Sequence, residues 1–206
     1  MVATIMIICA NGLRTQKGIK MGKIFVTSDW HFNHNREFIY KPRGFSSIEE
    51  MNEAIIARHN EVVDDDDDVY VLGDLMLGGD LRGLECIKRL KGRIHIVLGN
   101  HCTFAREAAY KELPNVVEVA CAIRLKYGKY HFFLTHFPCM TGNLERESLT
   151  QTTCNLFGHT HSREKFYNDI PFMYNVAVDA HDCYPVEIED VIADMNEEVR
   201  KCKSFL

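Results

Sequence analysis

The chain has 206 residues, 46% of them hydrophobic and 26% charged, and this balance indicates a folded protein with its own core, not a disordered or low-complexity chain. The formal net charge of −5 gives no basic footprint for non-specific nucleic-acid binding, although it leaves room for a local basic patch. Eight cysteines are scattered without a Cys-x-x-Cys pair, which argues against a structural zinc site or redox motif and favours a reducing, cytoplasmic location.

Residues 1–20 are interpreted as an N-terminal extension of unclear role, and residues 21–206 as a single domain. The apolar segment 2–10 is too short to span a bilayer and lacks the basic residues that normally precede a signal-peptide core, so we expect no membrane association. An upstream translation start or an added edge strand would each explain the extension. A weak secretory signal is the less favoured alternative.

Short apolar runs and helical patterns then follow one another along the chain. Strands are expected at residues 24–27, 69–72, 94–98 and 173–178, another ends at Phe157, and a hairpin covers residues 123–134. Helices are expected from Ser46, over residues 81–90 and from about residue 187. The first helix has an apolar stripe formed by Ile48, Met51, Ile55 and Ile56. The second has one formed by Leu81, Leu84, Ile87 and Leu90. The aspartate run 64–68 is interpreted as a solvated turn, and residues 140–153 as a loop that could hold a short helix.

Residue types that bind metals follow five of these strands, at the point where each strand ends. They are Asp29 and His31, Asp74, Asn100 and His101, His136, and His159 and His161. Gly158 precedes the last pair and is expected to let the chain turn sharply. Because open α/β sheets bind ligands beyond the carboxyl ends of their strands, we expect these side chains to meet in one crevice.

The donor types favour a site for two metal ions. Imidazole, carboxylate and amide oxygen are ligands of borderline divalent metals, and no thiolate takes part. These residues are too many for one tetrahedral ion, whereas two ions bridged by a carboxylate would use most of them. Two-metal sites of this kind suit in-line displacement at phosphorus.

The combination resembles the calcineurin-like metallophosphoesterases, and residues 30–35 resemble the small bacterial and phage members. The motifs Asp-x-His, Gly-Asp, Gly-Asn-His, Thr-His and Gly-His-x-His occur in the family's order over residues 24–161. The resemblance implies an α/β fold in which a two-sheet β-sandwich is flanked by helices in four layers, α/β/β/α. It also implies two divalent metal ions, for which the ligands do not choose among Mn, Fe, Zn, Co and Ni.

Transferred by motif, the resemblance implies a role for each residue. Asp29, His31 and His161 would bind one ion, Asp74 would bridge, and Asn100, His136 and His159 would bind the second. A metal-bound hydroxide would attack phosphorus in line. His101 would be catalytic, either by stabilising the developing charge or by protonating the leaving oxygen.

Two departures from the family pattern bear on the substrate. Gly73-Asp74 continues as Leu-Met-Leu-Gly-Gly instead of x-x-Asp-Arg-Gly, which disfavours a phosphoprotein substrate. Cys102 stands where an acidic residue is usual, which leaves the orientation of His101 open.

His34 and Arg36 are candidate contacts for a substrate phosphate, as is Arg106, with ordinary rim or surface positions as the alternatives.

The remaining histidines lie away from these motifs. His59, His95 and His131 fall within a helix or strands and are interpreted as structural. His181 is less settled, because support of a metal ligand is a second possibility for it.

We therefore predict a bimetal-dependent hydrolase of a small phosphomonoester or phosphodiester, with nucleotides among the candidate substrates. The alternatives are a non-catalytic scaffold of the same fold that binds proteins, and a nuclease. The acidic balance and the absence of a basic, aromatic-rich tract count against a nucleic-acid partner. The sequence does not indicate an oligomeric state.

Overall fold

Two β-sheets form the centre of the computed structural model, which describes residues 22–141 and 148–204. The strands in chain order are β1 (Ile24–Thr27), β2 (Asp68–Leu72), β3 (Arg93–Val97), β4 (Val116–Ala120), β5 (Ile123–Tyr127), β6 (Tyr130–Leu134), β7 (Thr153–Phe157), β8 (Met173–Asn175) and β9 (Val186–Glu187). The helices are α1 (Glu37–Tyr40), α2 (Ile48–Val62), α3 (Asp80–Lys88), α4 (Phe104–Lys111) and α5 (Ile188–Ser204). The predicted N-terminal extension lies outside the described residues, as do residues 142–147 of the predicted 140–153 loop.

Both sheets are mixed. The first has the strand order β4-β3-β2-β1-β9, in which only β9 is antiparallel to its neighbour. The second has the order β5-β6-β7-β8, with the predicted hairpin β5–β6 as its antiparallel pair. Because the parallel strands of a sheet end at the same edge, the loops after them gather there.

Strand periodicity divides the buried side chains between two cores. Val69 and Val71 of β2 face one core with apolar residues of α1 to α4, whereas Tyr70 and Leu72 face the second core. The second core contains the apolar side chains of the second sheet and of α5. Alternate positions of a strand point to opposite faces, so a sheet with both faces buried packs against two layers. The predicted two-sheet β-sandwich flanked by helices is confirmed.

The stripe predicted for α2 is buried as expected, but the one for α3 is only partly so. Leu81 is 81% exposed, while Ile87 and Leu90 are buried. The reason is close packing at Gly83, where a Cβ would stand 2.5 Å from Met76 Sδ. Gly83, Cys86 and Ile87 therefore form the inner face, and Leu81 turns outward.

The aspartate run is a solvated turn only in its first part. Asp64, Asp65 and Asp66 are exposed, but Asp67 is buried, and its carboxylate accepts hydrogen bonds from the backbone N–H groups of Lys23 and Asp64. Asp68 is the first residue of β2. The solvated-turn prediction is therefore wrong for the last two aspartates. Both are hydrogen-bonded to Lys23 and so connect the start of β2 to the start of β1.

No helix in the described ranges, 22–141 and 148–204, combines the length and apolar character needed to cross a membrane.

His59 should make stability depend on pH. Its ring is fully buried in α2, with Nε2 3.0 Å from the Lys91 carbonyl, and burial lowers its pKa from 6.5 to about 4. Between these values the unfolded chain binds more protons than the folded one, so stability falls as pH is lowered. From pH 7.5 to 5 the loss due to His59 is about 2 kcal/mol.

Urea unfolding with a chelator present checks this expectation. His59→Gln keeps a donor for the Lys91 carbonyl but cannot titrate, so its free energy of unfolding should drop by about 2 kcal/mol less than that of the unchanged protein over this pH interval. Other histidines contribute equally to both proteins. An equal drop in the two would contradict the assignment.

Candidate metal centre

Tight turns after the strands place the candidate site. Five of its residues have positive φ, between 49° and 68°: Asp29, His31, Asp74, His159 and His161. Such left-handed backbone is uncommon outside glycine and costs about 1–3 kcal/mol per residue, so it persists only where the surroundings enforce it. Here the turn after β1 is hydrogen-bonded to the turn after β2, by Asp29 N to Gly73 O at 3.1 Å and by His31 N to Asp74 O at 3.0 Å.

Glycines precede three of the candidate metal-binding residues, Asp74, Asn100 and His159, because there is no room for a side chain at these positions. A Cβ at Gly158 would stand 2.2 Å from Ser28 Oγ, and one at Gly99 would stand 2.3 Å from Asp74 Oδ1. Gly158 itself is not among the residues with positive φ. The sharp turn expected at this glycine is made by His159 instead, and Gly158 allows the close approach of the turns after β1 and β7.

Three donor atoms form a first group. His31 Nε2 and His161 Nε2 are 3.1 Å apart, and each is 3.8 Å from Asp29 Oδ1. A point about 2.1 Å from all three atoms exists, which is the distance at which imidazole nitrogen and carboxylate oxygen bind such metals. The spacing of these three atoms therefore fits one divalent ion.

The carboxylate of Asp29 divides its oxygens between two tasks. Oδ2 accepts hydrogen bonds from Ser28 Oγ at 2.6 Å and from His159 N at 2.8 Å. Oδ1 is buried and has no hydrogen-bond partner in the described part of the chain. Burial raises the pKa of Asp29, because an ionised carboxylate is costly without a compensating charge. A cation beside Oδ1 would supply that charge.

Four donor atoms form a second group on the neighbouring turns. Asn100 Oδ1 lies 2.8 Å from His136 Nε2 and 2.9 Å from His159 Nδ1, and His136 Nε2 lies 3.4 Å from Asp74 Oδ2. The same Asp74 oxygen is 3.9 Å from His31 Nε2 of the first group. Asp74 thus stands between the two groups, where a bridging carboxylate would have to be.

The protonation states of His31 and Asp74 suit metal binding. Burial and the neighbouring His161 lower the pKa of His31 to about 2, so its ring is neutral with a free lone pair. Burial acts to raise the pKa of Asp74, but His136 and the backbone N–H of His101 hold it at about 2. An anionic carboxylate and a neutral imidazole are the forms that bind metals.

Carbonyl and carboxylate partners orient two of the imidazoles. His136 Nδ1 is 2.8 Å from the carbonyl oxygen of Leu72, the last residue of β2. His161 Nδ1 is 3.1 Å from Asp179 Oδ2. When Nδ1–H donates to such an acceptor, Nε2 is left as the electron-pair donor, and in both residues Nε2 is the atom that faces the group.

His101 lies beside both groups without belonging to either. Its backbone N–H donates to Asp74 Oδ1 at 3.0 Å, its Nε2 is 3.9 Å from Asp74 Oδ2, and its side chain is 37% exposed. Cys102, which replaces the usual acid, accepts a hydrogen bond from Gly99 N through Sγ and closes the turn. The hydrogen bonds of this turn, including the one to Cys102 Sγ, therefore set the position of His101.

Arg106 holds the same turn from outside. Its guanidinium donates to the His101 carbonyl at 2.7 Å and to Asp80 Oδ1 at 3.0 Å, and the side chain is largely buried. A guanidinium engaged in this way supports the turn that carries His101. The guanidinium of Arg106 is therefore already engaged and is not presented to a substrate phosphate.

His34 and Arg36 differ in their relation to the site. The ring of His34 is 5.3 Å from that of His31 and 6.4 Å from that of His101, measured between ring centroids. Burial, and then His101, lower the pKa of His34. Arg36 is exposed at the start of α1, and its guanidinium makes no hydrogen bond or ion pair with any residue that the structure describes. The structure thus places His34 at the rim and leaves the contribution of Arg36 a prediction.

Two residues that sequence reasoning did not select stand behind the first group. The side chain of Arg43 donates to both carboxylate oxygens of Asp179, and Asp179 is the partner of His161. Asp179 directly follows the predicted strand 173–178, the position that singled out the other carboxylates. His181 makes no such contact, because its Nε2 lies 2.8 Å from the Asn175 carbonyl and its ring stacks on Tyr174.

Known proteins resemble this chain in sequence. The sequence profile of the calcineurin-like phosphoesterase superfamily domain matches residues 23–176. The chain is 32% identical over 182 residues to an uncharacterized protein of Methanocaldococcus jannaschii, with 84% of this chain and 92% of that protein covered. It is 27% identical over 202 residues to the gene 66 protein of Mycobacterium phage D29, with 86% and 99% covered.

A solved structure of similar fold is that of a protein of unknown function from Aquifex aeolicus. Its TM-score is 0.65 at 21% identity, with 84% of this chain and 98% of that chain covered. At this identity the likeness concerns the fold.

Proposed function

The chain belongs to the calcineurin-like phosphoesterase superfamily, and from this premise we propose that it is a hydrolase of small phosphate esters that works with two divalent metal ions. The observation that carries the proposal is the pair of adjacent donor groups with Asp74 between them. In this proposal Asp29, His31 and His161 hold one ion; Asn100, His136 and His159 hold the other; and Asp74 contacts both.

The residues divide the work of ester hydrolysis. When bound, the ions supply Lewis acidity at the phosphate and lower the pKa of water. His101, whose side chain is 37% exposed and whose Nε2 lies 3.9 Å from Asp74 Oδ2, can donate a proton to the leaving oxygen or stabilise the charge that develops on the phosphate oxygens. In this proposal His34, whose ring is near those of His31 and His101, holds a phosphate oxygen.

An exposed aromatic surface favours a substrate with a planar ring. Phe137 is 47% exposed, and its ring centroid lies 4.7 Å from that of His159 and 5.0 Å from that of His136. Phe38 is also exposed, and its ring centroid is 5.7 Å from that of His34. A nucleotide or another aryl ester can stack on such a ring beside the phosphate position. Nucleotides are therefore our first choice of substrate class.

The function is tested on one preparation whose metal content has been measured. We expect hydrolysis of p-nitrophenyl phosphate, bis(p-nitrophenyl) phosphate or members of a nucleotide panel, loss of that activity with a chelator, and recovery when Mn²⁺ is added back. A preparation that holds two ions per chain and hydrolyses none of these esters would refute the hydrolase and leave the scaffold. A preference for single-stranded DNA over nucleotides would favour the nuclease.

Phe137→Ala should raise KM for nucleotide or aryl esters about 10-fold and leave KM for a methyl ester within about twofold, because only planar groups gain from stacking. Steady-state kinetics with both ester types measures the split. Phe104→Ala is the matched control: this ring is exposed at the start of α4 and makes no ring contact with the site histidines described above. Equal effects of Phe137→Ala on both esters would contradict the stacking role.

A further inference from the structure

A buried ion pair lies directly behind the first donor group. The side chain of Arg43 is only 2% exposed, and it donates from Nε to Asp179 Oδ1 at 2.9 Å and from Nη2 to Asp179 Oδ2 at 2.8 Å. This is the parallel two-bond arrangement that makes an arginine–carboxylate pair rigid. Asp179 itself is nearly buried, so the pair is held in a fixed place.

The pair contacts two of the three donors of the first group. Asp179 Oδ2 is 3.1 Å from His161 Nδ1, and Arg43 Nη2 donates to the backbone carbonyl of Asp29 at 2.9 Å. Arg43 Nη1 also donates to the Trp30 carbonyl, 3.2 Å away, on the stretch between Asp29 and His31. One guanidinium therefore ties together the turn after β1 and the turn that carries His161.

The charges explain why both partners are needed. Arg43 brings a buried positive charge to within hydrogen-bonding distance of the Asp29 backbone, and alone it would repel a metal ion. Asp179 neutralises that charge and accepts from His161 at the same time. A ligating histidine whose other ring nitrogen donates to a carboxylate is fixed in orientation and is a stronger donor to the metal.

The second donor group has no corresponding contact with this pair. Within the described residues, neither Arg43 nor Asp179 has a hydrogen bond or ion pair with Asp74, Asn100, His136 or His159. His136 is oriented instead by the Leu72 carbonyl. The support of the two groups is therefore built from different parts of the chain.

From this arrangement we propose that Arg43 and Asp179 are positioning residues that set the affinity of the first metal position alone. The proposal rests on the proposed two-metal function. In this proposal the Arg43–Asp179 pair orients His161 Nε2 and the turn of Asp29 toward one ion. The two ions share Asp74, and this pair makes their affinities differ. The pair is expected to work without contact with substrate.

The test measures metal binding directly, by equilibrium dialysis with Mn²⁺ and elemental analysis. Asp179→Asn keeps the shape of the side chain but removes the carboxylate charge. We expect one of the two ions to bind about 10–100-fold more weakly and the other to change by less than about twofold. Arg43→Lys keeps the charge but not the two-bond fork, and it should weaken the same ion in the same range.

Backgrounds with one group disabled show which ion is affected. In an Asn100→Ala protein, whose second group is disabled, Asp179→Asn should still weaken the remaining ion. In a His31→Ala protein, whose first group is disabled, Asp179→Asn should leave the remaining ion unchanged. Circular dichroism of the metal-free variants confirms that each is folded.

The matched control is Arg93→Lys. Arg93 makes the same two bonds with Asp68, Nε to Oδ1 at 2.9 Å and Nη2 to Oδ2 at 2.7 Å. Asp68 and Arg93 are the first residues of β2 and β3, at the ends of these strands away from the donor groups. Arg93→Lys should leave both ions unaffected. Weakening of both ions alike by Asp179→Asn, or of neither, overturns the positioning role while the two-metal function stands. An unchanged protein that binds fewer than two ions overturns both.

Discussion

Asp74→Asn is expected to lower kcat/KM by about 10³-fold or more and to weaken the binding of both metal ions. The reason is the position of one oxygen: Oδ2 is 3.4 Å from His136 Nε2 and 3.9 Å from His31 Nε2, so it faces a donor of each group. An amide oxygen carries no full charge and cannot balance two cations. The substitution keeps the size of the side chain, and an amide oxygen can still accept from the His101 N–H.

Metal content and ester hydrolysis should be measured on the same Asp74→Asn preparation. Asp65→Asn is the matched control, because Asp65 is exposed in the turn before β2 and the chemical change is identical. It should retain both ions and full activity. If Asp74→Asn kept two tightly bound ions and activity within about tenfold of the unchanged protein, Asp74 could not be the shared ligand.

The part of the site that could be predicted from sequence is the part that follows a local rule. Apolar runs of four or five residues mark buried strands, and the polar residues just beyond them must lie at the sheet edge. Asp29, Asp74 and His136 each follow this rule, and the structure brings them within one cluster of turns. The two-sheet fold was predictable by resemblance, because the motifs occur in the family's order.

Two of the elements that were not predicted from the sequence, β4 and α4, have weak local signals. Strand β4 is at the edge of its sheet, and its side chains are exposed or half-buried on both faces. It therefore lacks the alternation of buried and exposed residues that marks a strand in a sequence. Helix α4 has eight residues, of which only Tyr110 is buried. Its start is marked by Thr103, whose hydroxyl accepts from the Arg106 N–H, and this cap was the one available signal.

The support behind the ligands was out of reach for a different reason. Arg43 and Asp179 are 136 residues apart, and Arg43 lies between α1 and α2 with no periodic pattern around it. Nothing local distinguishes it from an exposed arginine. Only the packing of α1 and α2 against the first sheet brings its guanidinium beneath the turn after β1. Left-handed backbone at Asp29, His31 and His159 is likewise a product of several turns pressed together.

His101→Ala should lower kcat by about 10²–10³-fold while both metal ions remain bound, because the imidazole lies beside the donor groups and is a member of neither. Alanine retains the backbone N–H that donates to Asp74 Oδ1, so the turn is preserved. Elemental analysis measures the ions, and steady-state kinetics measures kcat. Loss of an ion in parallel with kcat would show that His101 supports the metal centre instead.

The choice of ester then separates the two roles open to His101. Protonation of the leaving oxygen matters most for a poor leaving group such as an alkoxide and little for p-nitrophenolate, which departs readily as an anion. If His101 is the proton donor, His101→Ala should cost about 10-fold more in kcat with a methyl ester than with a p-nitrophenyl ester. If it stabilises developing charge, the two losses should be alike, since that charge forms on the phosphate oxygens with either ester. The side chain of His101 is 37% exposed, so solvent can return a proton to it after each turnover, and this favours the first outcome.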